Sequence, residues 1–181
     1  MYGIVNKAVH GLVTENFGEN AWNDIKKESG IDVDYFISNE PYDDEITYKL
    51  VQSSSKVLKM SEQDVLIAFG EYWILKTGQK HYGSLMQAGG NSLMEFIINL
   101  PDFHSRVMLI YPKLTPPEFK ITDVSTNSLL LHYYSHRAGL KYFVYGLLLG
   151  LGKMFNASIN IQIINSKDEG HTHDEFKVTM N

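Results

Sequence analysis

The sequence predicts an α+β fold: a helical N-terminal half packed on a C-terminal antiparallel sheet of about four strands, with one long helix buried against that sheet. Three observations carry the expectation. Before Thr115 apolar residues recur every three or four positions, whereas after it short runs alternate with a period of two. Turn-forming clusters, Ser125-Thr126-Asn127-Ser128 and Ser166-Lys167-Asp168-Glu169-Gly170, separate those runs. Between them, Gly139 to Phe155 is apolar on nearly every face, so it must be covered on all sides.

Taken in order, Ile4, Val5, Ala8, Val9, Leu12, Val13 and Phe17 mark a first helix, which Gly18 stops. A short helix with Trp22 and Ile25 follows and ends near Gly30. Asp43-Asp44-Glu45 opens the next, since carboxylates are favoured by the dipole of a first turn, and it runs to about Lys59. Ser61 caps a helix carrying Val65, Ile67, Ala68, Phe69, Tyr72 and Trp73, and Gly78 ends it. Another carries Leu93, Phe96, Ile97 and Leu100. Pro101 breaks that helix and starts the next, where its missing N–H costs nothing. Pro116-Pro117 is an extended hinge, and strands are expected at Glu118 to Val124, from Ser128 onward, at Ala157 to Ile164 and at Phe176 to Met180. The glycines from Gly146 to Gly152 signal close helix packing; no strand leads into them, as a phosphate loop requires.

A chain of 181 residues with 44% hydrophobic content fits one domain with a substantial core. No repeat or linker interrupts it. The net charge of -5, with no basic stripe, argues against nucleic acid as the main partner. The absence of cysteine excludes disulfides, thiolate zinc sites and cysteine nucleophiles. The first helix mixes Asn6, Lys7, His10 and Glu15 into its pattern, unlike a signal peptide. The most apolar segment holds Lys141, Lys153 and four glycines, too interrupted to span a bilayer. A soluble cytoplasmic protein is expected. No Gly-x-Ser-x-Gly, Walker lysine or His-Glu-x-x-His occurs, so no enzyme constellation is read here.

Two stretches carry candidate chemistry. In Tyr133-Tyr134-Ser135-His136-Arg137, strand alternation puts Tyr133, Ser135 and Arg137 on one face and His132, Tyr134 and His136 on the other. Two hydroxyls and a guanidinium suit a ligand with carboxylates. A strand end whose Arg137 pairs with a nearby acid fits the same residues. His104 shares a helix face with Leu100, Val107 and Met108, a setting for a metal-bound imidazole or for a core histidine bonded to a backbone carbonyl. His171 and His173 share a strand face, but two ligands without a third make a poor metal site. His132 and His136 are expected to meet solvent or a partner.

Together, Asn99-Leu100-Pro101-Asp102-Phe103-His104, the Pro116-Pro117 pair and the Tyr-x-Ser-x-Arg strand resemble the H-NOX family, the haem nitric oxide/oxygen binding domains. The resemblance covers the whole chain. Met1 to Asn6, Ala68 to Trp73 and His171 to Phe176 resemble the haem domain of soluble guanylate cyclase and its stand-alone bacterial relatives alike. It implies one domain over 1–181, a helical part at about 1–60 and a haem-holding part at about 61–181, with haem b between helices and sheet. His104 would be the axial iron ligand, and Tyr133, Ser135 and Arg137 would hold the propionates. Pro117 would press on the porphyrin, and Val5, Val9, Trp73, Phe143 and Leu147 would form the distal wall. The implied signal is NO at ferrous haem, with CO as a second ligand, acting by release of His104 and relaxation of the haem. Oxygen would be excluded, because Phe143 stands where oxygen-binding relatives place a tyrosine; Tyr142, one residue back, is the alternative register. Output would pass to a separate histidine kinase or cyclic-di-GMP enzyme. The cysteine-bound zinc of some members cannot form here. Two rivals remain: a peroxidase-like haem enzyme, which wants a distal His/Arg pair, and a carboxylate-binding module, which needs Arg137 but not His104.

Overall fold

Helix caps written into the sequence set most of the boundaries in the computed structural model, which describes residues 1–111 and 114–181. Helix α1 spans Gly3–Ser29 and is broken in the middle at Gly18, whose φ of 85° and ψ of 168° few side-chain-bearing residues tolerate. Helix α2 (Asp44–Leu58) starts with the Asp43 side chain accepting from the Glu45 N–H, and Lys59 closes it in the left-handed region. The Ser61 side chain accepts from the Asp64 N–H to start α3 (Glu62–Tyr72).

Gly78 does not end this run as the sequence predicts. The chain passes through a π-helical turn, Trp73–Gly78, into α4 (Gln79–Gln87). Gly78 is there for packing: a Cβ would lie 3.1 Å from the Trp73 carbonyl oxygen and 3.2 Å from the Met86 sulfur. Ser92 caps α5 (Leu93–Ile98), and α6 (Leu100–Ile110) follows with Pro101 in its first turn.

The C-terminal part is a four-stranded antiparallel sheet of β1 (Glu118–Thr122), β2 (Ser128–Tyr134), β3 (Ile159–Asn165) and β4 (Asp174–Met180), in the order β1-β2-β4-β3. Helix α7 (Lys141–Met154) joins β2 to β3. Along β2, Leu129, Leu131 and Tyr133 face the core, while His132 points to the outer face opposite Glu175 of β4. The main core joins Phe96, Ile97, Leu131, Leu148 and Phe176. A second cluster around Val9, Val13, Ile25 and Leu50 fills the helical half.

Helices α3 and α7 meet backbone to backbone, as the glycine spacing predicts. A Cβ on Gly70 would sit 2.3 Å from the Phe143 carbonyl oxygen, and one on Gly146 would sit 2.2 Å from that of Ile67. Among the described residues no helix is long and apolar enough to cross a membrane.

Candidate functional site

A cavity of about 860 Å³ opens where the start of α1, α2, α3, the π turn, α6, the β1–β2 edge and α7 meet. That volume lies at the upper end of the roughly 300–1,000 Å³ found for small-molecule and cofactor pockets. His104 reaches it from α6, with Leu100 and Val107 on the same side of the helix. Met108, expected beside them, is instead partly exposed at 38%.

The His104 Nδ1 lies 3.0 Å from the Leu100 carbonyl oxygen, so Nδ1–H donates there and Nε2 keeps its lone pair. Its ring lies between Phe103 and Phe119, with centroids 5.6 and 5.0 Å away. Burial pushes its pKa below the ordinary value of 6.5, against the opposing pull of the Leu100 bond. The ring retains some accessible surface even though protein surrounds it, because its open side faces the cavity. Of the two candidate roles of His104, the bond to a backbone carbonyl is present, and it leaves Nε2 as the nitrogen that carries the lone pair.

Tyr133 and Arg137 line the cavity too. Tyr133 does so by strand alternation, but Arg137 does not, since β2 ends at Tyr134 and residues 135–139 bend away, with Gly139 at φ 72°. The backbone N–H of Arg137 donates to the Ser135 hydroxyl oxygen at 3.1 Å. Ser135 is not among the cavity-lining residues; it holds the turn and bonds Tyr133. The turn also brings His136 to the cavity, which an unbroken strand would have turned away. Burial raises the Tyr133 pKa, opposed by the Ser135 bond and the Arg137 charge.

Arg137 is paired with a nearby acid, as one of its two readings expects, and that acid is Asp44 in the first turn of α2. Its Nε–H donates to Asp44 Oδ2 at 2.7 Å, an Nη2–H to Asp44 Oδ1 at 3.4 Å, and an Nη1–H to the Thr115 carbonyl oxygen at 3.1 Å. The Met1 ammonium also bonds Asp44. Burial raises the Asp44 pKa, but the bonds from Arg137 and the amino terminus outweigh it and hold the carboxyl below 3.8. Among the described residues these bonds take up three of the five guanidinium N–H groups.

The remaining walls are mostly apolar. Val5, Phe69, Trp73, Phe143 and Leu147 line the cavity, with Phe69 4.7 Å from Phe143, the rings tilted at 41°, and edge-on to Trp73 at 6.5 Å. Pro116 and Pro117 close another side. Val9, expected on the same wall as Val5, lines a second, smaller cavity with Leu12, Val13 and Val51. One turn further on, it stands ~6 Å along the helix axis and ~40° round it. Tyr142 packs against Val51, Val65 and Leu66, and Tyr145 against the main core; neither lines the large cavity. Sequence reasoning missed Asp44, Tyr48, Phe69 and the Tyr82–Tyr111 hydroxyl pair at 2.9 Å. Phe69 was legible as a core position at helical spacing, but nothing local marks Asp44 as a partner of Arg137.

The chemistry of this arrangement is specific in class. A large flat apolar body fits between aromatic and aliphatic walls. One neutral imidazole offers a single axial donor, and a guanidinium with a buried tyrosine meets acidic substituents at the rim. A porphyrin with iron at its centre and two propionates has those features.

The family model described as Haem-NO-binding matches residues 2–163. Soluble guanylate cyclase gcy-33 of Caenorhabditis elegans is 26% identical over 171 residues, 94% of this chain and 18% of that protein, so the chain spans less than a fifth of this relative. The Fe(II) unliganded H-NOX protein from K. algicida superposes with a TM-score of 0.87 at 25% identity, over 100% of this chain and 97% of that one. An H-NOX protein from S. oneidensis in the Fe(II)NO ligation state gives 0.90 at 22% identity, over 100% and 99% of the two chains.

Proposed function

We propose, from the premise that this chain belongs to the Haem-NO-binding family, that nitric oxide at ferrous haem is its signal. The chain is an H-NOX haem-binding domain of the gas-sensor type, related to the sensor domains of soluble guanylate cyclases. The observation that carries the finer reading is His104, whose Nδ1 is tied to Leu100 while Nε2 is free in an apolar cavity. Haem b supplies a ferrous centre that takes up diatomic gases; without cysteine the chain cannot attach haem through thioethers.

In this reading His104 would hold the iron. Arg137 and Tyr133 would meet the propionates, with Ser135 holding the turn that presents them. Pro117 would lie against one face, and Val5, Trp73, Phe143 and Leu147 would exclude water from the gas side. Loss of the His104 bond on binding NO would be the signal, carried by α6. A ligand that favours one of two arrangements is what signalling requires. The receiver is a separate histidine kinase or cyclic-di-GMP enzyme in the cytoplasm, where a membrane-permeable gas meets both proteins.

The test is spectroscopic. The reduced protein should give a five-coordinate ferrous spectrum, and with NO at ambient temperature a five-coordinate one again, because His104 has left. His104→Gly should lose the first spectrum and regain it with added imidazole. A six-coordinate NO complex, or an unchanged spectrum in His104→Gly, would overturn the reading.

A further inference from the structure

The outer face of the sheet, opposite the cavity, carries a second cluster. His132 of β2, His173 of the turn before β4 and Glu175 of β4 converge there, each half-buried. His132 Nδ1 lies 2.9 Å from His173 Nε2 and 3.3 Å from Glu175 Oε1, and His173 Nε2 lies 2.9 Å from that same oxygen. We propose that these three atoms bind a divalent transition-metal ion of the zinc class. The site owes nothing to what fills the cavity.

Three features support it beyond proximity. The donor set, two imidazole nitrogens and one carboxylate oxygen, is one that zinc accepts, with water completing a tetrahedron. The triangle has the right size: a point about 1 Å off its plane lies about 2.0 Å from all three atoms, a zinc–nitrogen or zinc–oxygen bond length. The side of each ligand turned away from the triangle is also held. His132 Nε2 is 2.8 Å from the Thr122 hydroxyl, His173 Nδ1 is 2.8 Å from the Thr172 hydroxyl, and Asn165 Nδ2 donates to Glu175 Oε2 at 2.6 Å. With both threonines accepting, both rings present bare nitrogens to the carboxylate. That arrangement is the one able to take a cation, and such outer contacts are what orient metal ligands. Tyr134 stacks on the His173 ring at 4.1 Å and shields one side.

The sequence suggested pairing His173 with His171, but His171 is exposed and outside the cluster. The third ligand comes from the β2–β4 register, which sets His132 beside Glu175. A bound ion would tie β2 to β4 at the residue between Leu131 and Tyr133, both of which line the cavity on the other face.

The experiment is calorimetric titration of chelator-treated, haem-loaded protein with Zn²⁺, paired with X-ray absorption at the zinc edge, which haem iron does not obscure. One ion per chain is expected, with two imidazoles and a carboxylate oxygen around it. His132→Ala, His173→Ala and Glu175→Gln should each weaken binding more than 10-fold, and Thr172→Ala about 10-fold. His171→Ala should change nothing. An unaltered ferrous haem spectrum in each variant establishes that it has folded. Absence of saturable binding, binding unaffected by the ligand variants, or loss in His171→Ala would overturn the proposal and leave a histidine–glutamate ion pair.

Discussion

Arg137 carries more than one duty. Its guanidinium is bonded to Asp44 and to the Thr115 carbonyl, and the same side chain lines the cavity. Tyr133 contributes one neutral hydroxyl beside it. Hydrogen bonds to an ionised partner are about twice as strong as neutral ones. Arg137→Ala should therefore speed haem loss to a scavenging apoglobin more than Tyr133→Phe does, and equal rates would argue that Arg137 serves Asp44 alone. His104 acts through its protonation state. Its lowered pKa works against the fold as pH drops below 6.5, because the unfolded chain then binds a proton that the folded chain refuses. What the burial secures in exchange is a neutral imidazole with its lone pair open to a metal.

At the scale of elements, our proposal makes α7 the helix that would decide which gas the cavity accepts. One helical position is about 100° of rotation, and although both residues pack against Val51, Val65 and Leu66, only Phe143 and not Tyr142 lines the cavity. Bound oxygen needs a nearby hydrogen-bond donor to be held, and Phe143 has none. The native protein, reduced and exposed to air, should form no stable oxygen complex; Phe143→Tyr should gain one, and Tyr142→Phe should leave the native behaviour unchanged. A stable complex in the native protein would show that another donor serves, with the Trp73 indole the first to remove. The same helix is locked to α3 by glycine. Gly146→Ala places a methyl group 2.2 Å from the Ile67 carbonyl oxygen, so the helices must separate. A loss of about 1–3 kcal/mol is expected in denaturant unfolding, the usual range for overpacking. No change in the midpoint would mean that α3 and α7 move apart freely.

Across the whole molecule, the Asp44–Arg137 pair links the helical half to the sheet, 93 residues apart in sequence. Asp44 has a depressed pKa, so its contribution is present above the ordinary carboxylate value of 3.8 and is lost as pH falls through the lowered one. Asp44→Asn should lower the melting temperature at neutral pH, and the gap to the native protein should close as the pH is taken down through the carboxylate range. A gap that persists undiminished in acid would assign the effect to packing. The division into a helical part at about 1–60 and a haem-holding part at about 61–181 is our proposal for the two bodies this pair joins.

The sequence by itself determined the fold class and most of the elements, though not α4 or the end of β2, because those it did give depend on local physics: apolar period, caps at Asp43 and Ser61, breaks at Gly18 and Pro101, and turns rich in Ser and Asn. It also singled out His104, Tyr133 and Arg137, whose chemistry is unusual in its setting. Tertiary structure decided the rest. Gly78 could be read as a stop or a packing residue, and only Met86 and Trp73 around it choose. Val5 and Val9 look alike in the helical pattern, yet they line different cavities. Asp44 meets Arg137, and His132 meets His173 and Glu175, through chain separations at which no local pattern operates. Partner choice at such distances is set by strand register and helix packing, which emerge only when the whole chain has closed on its core.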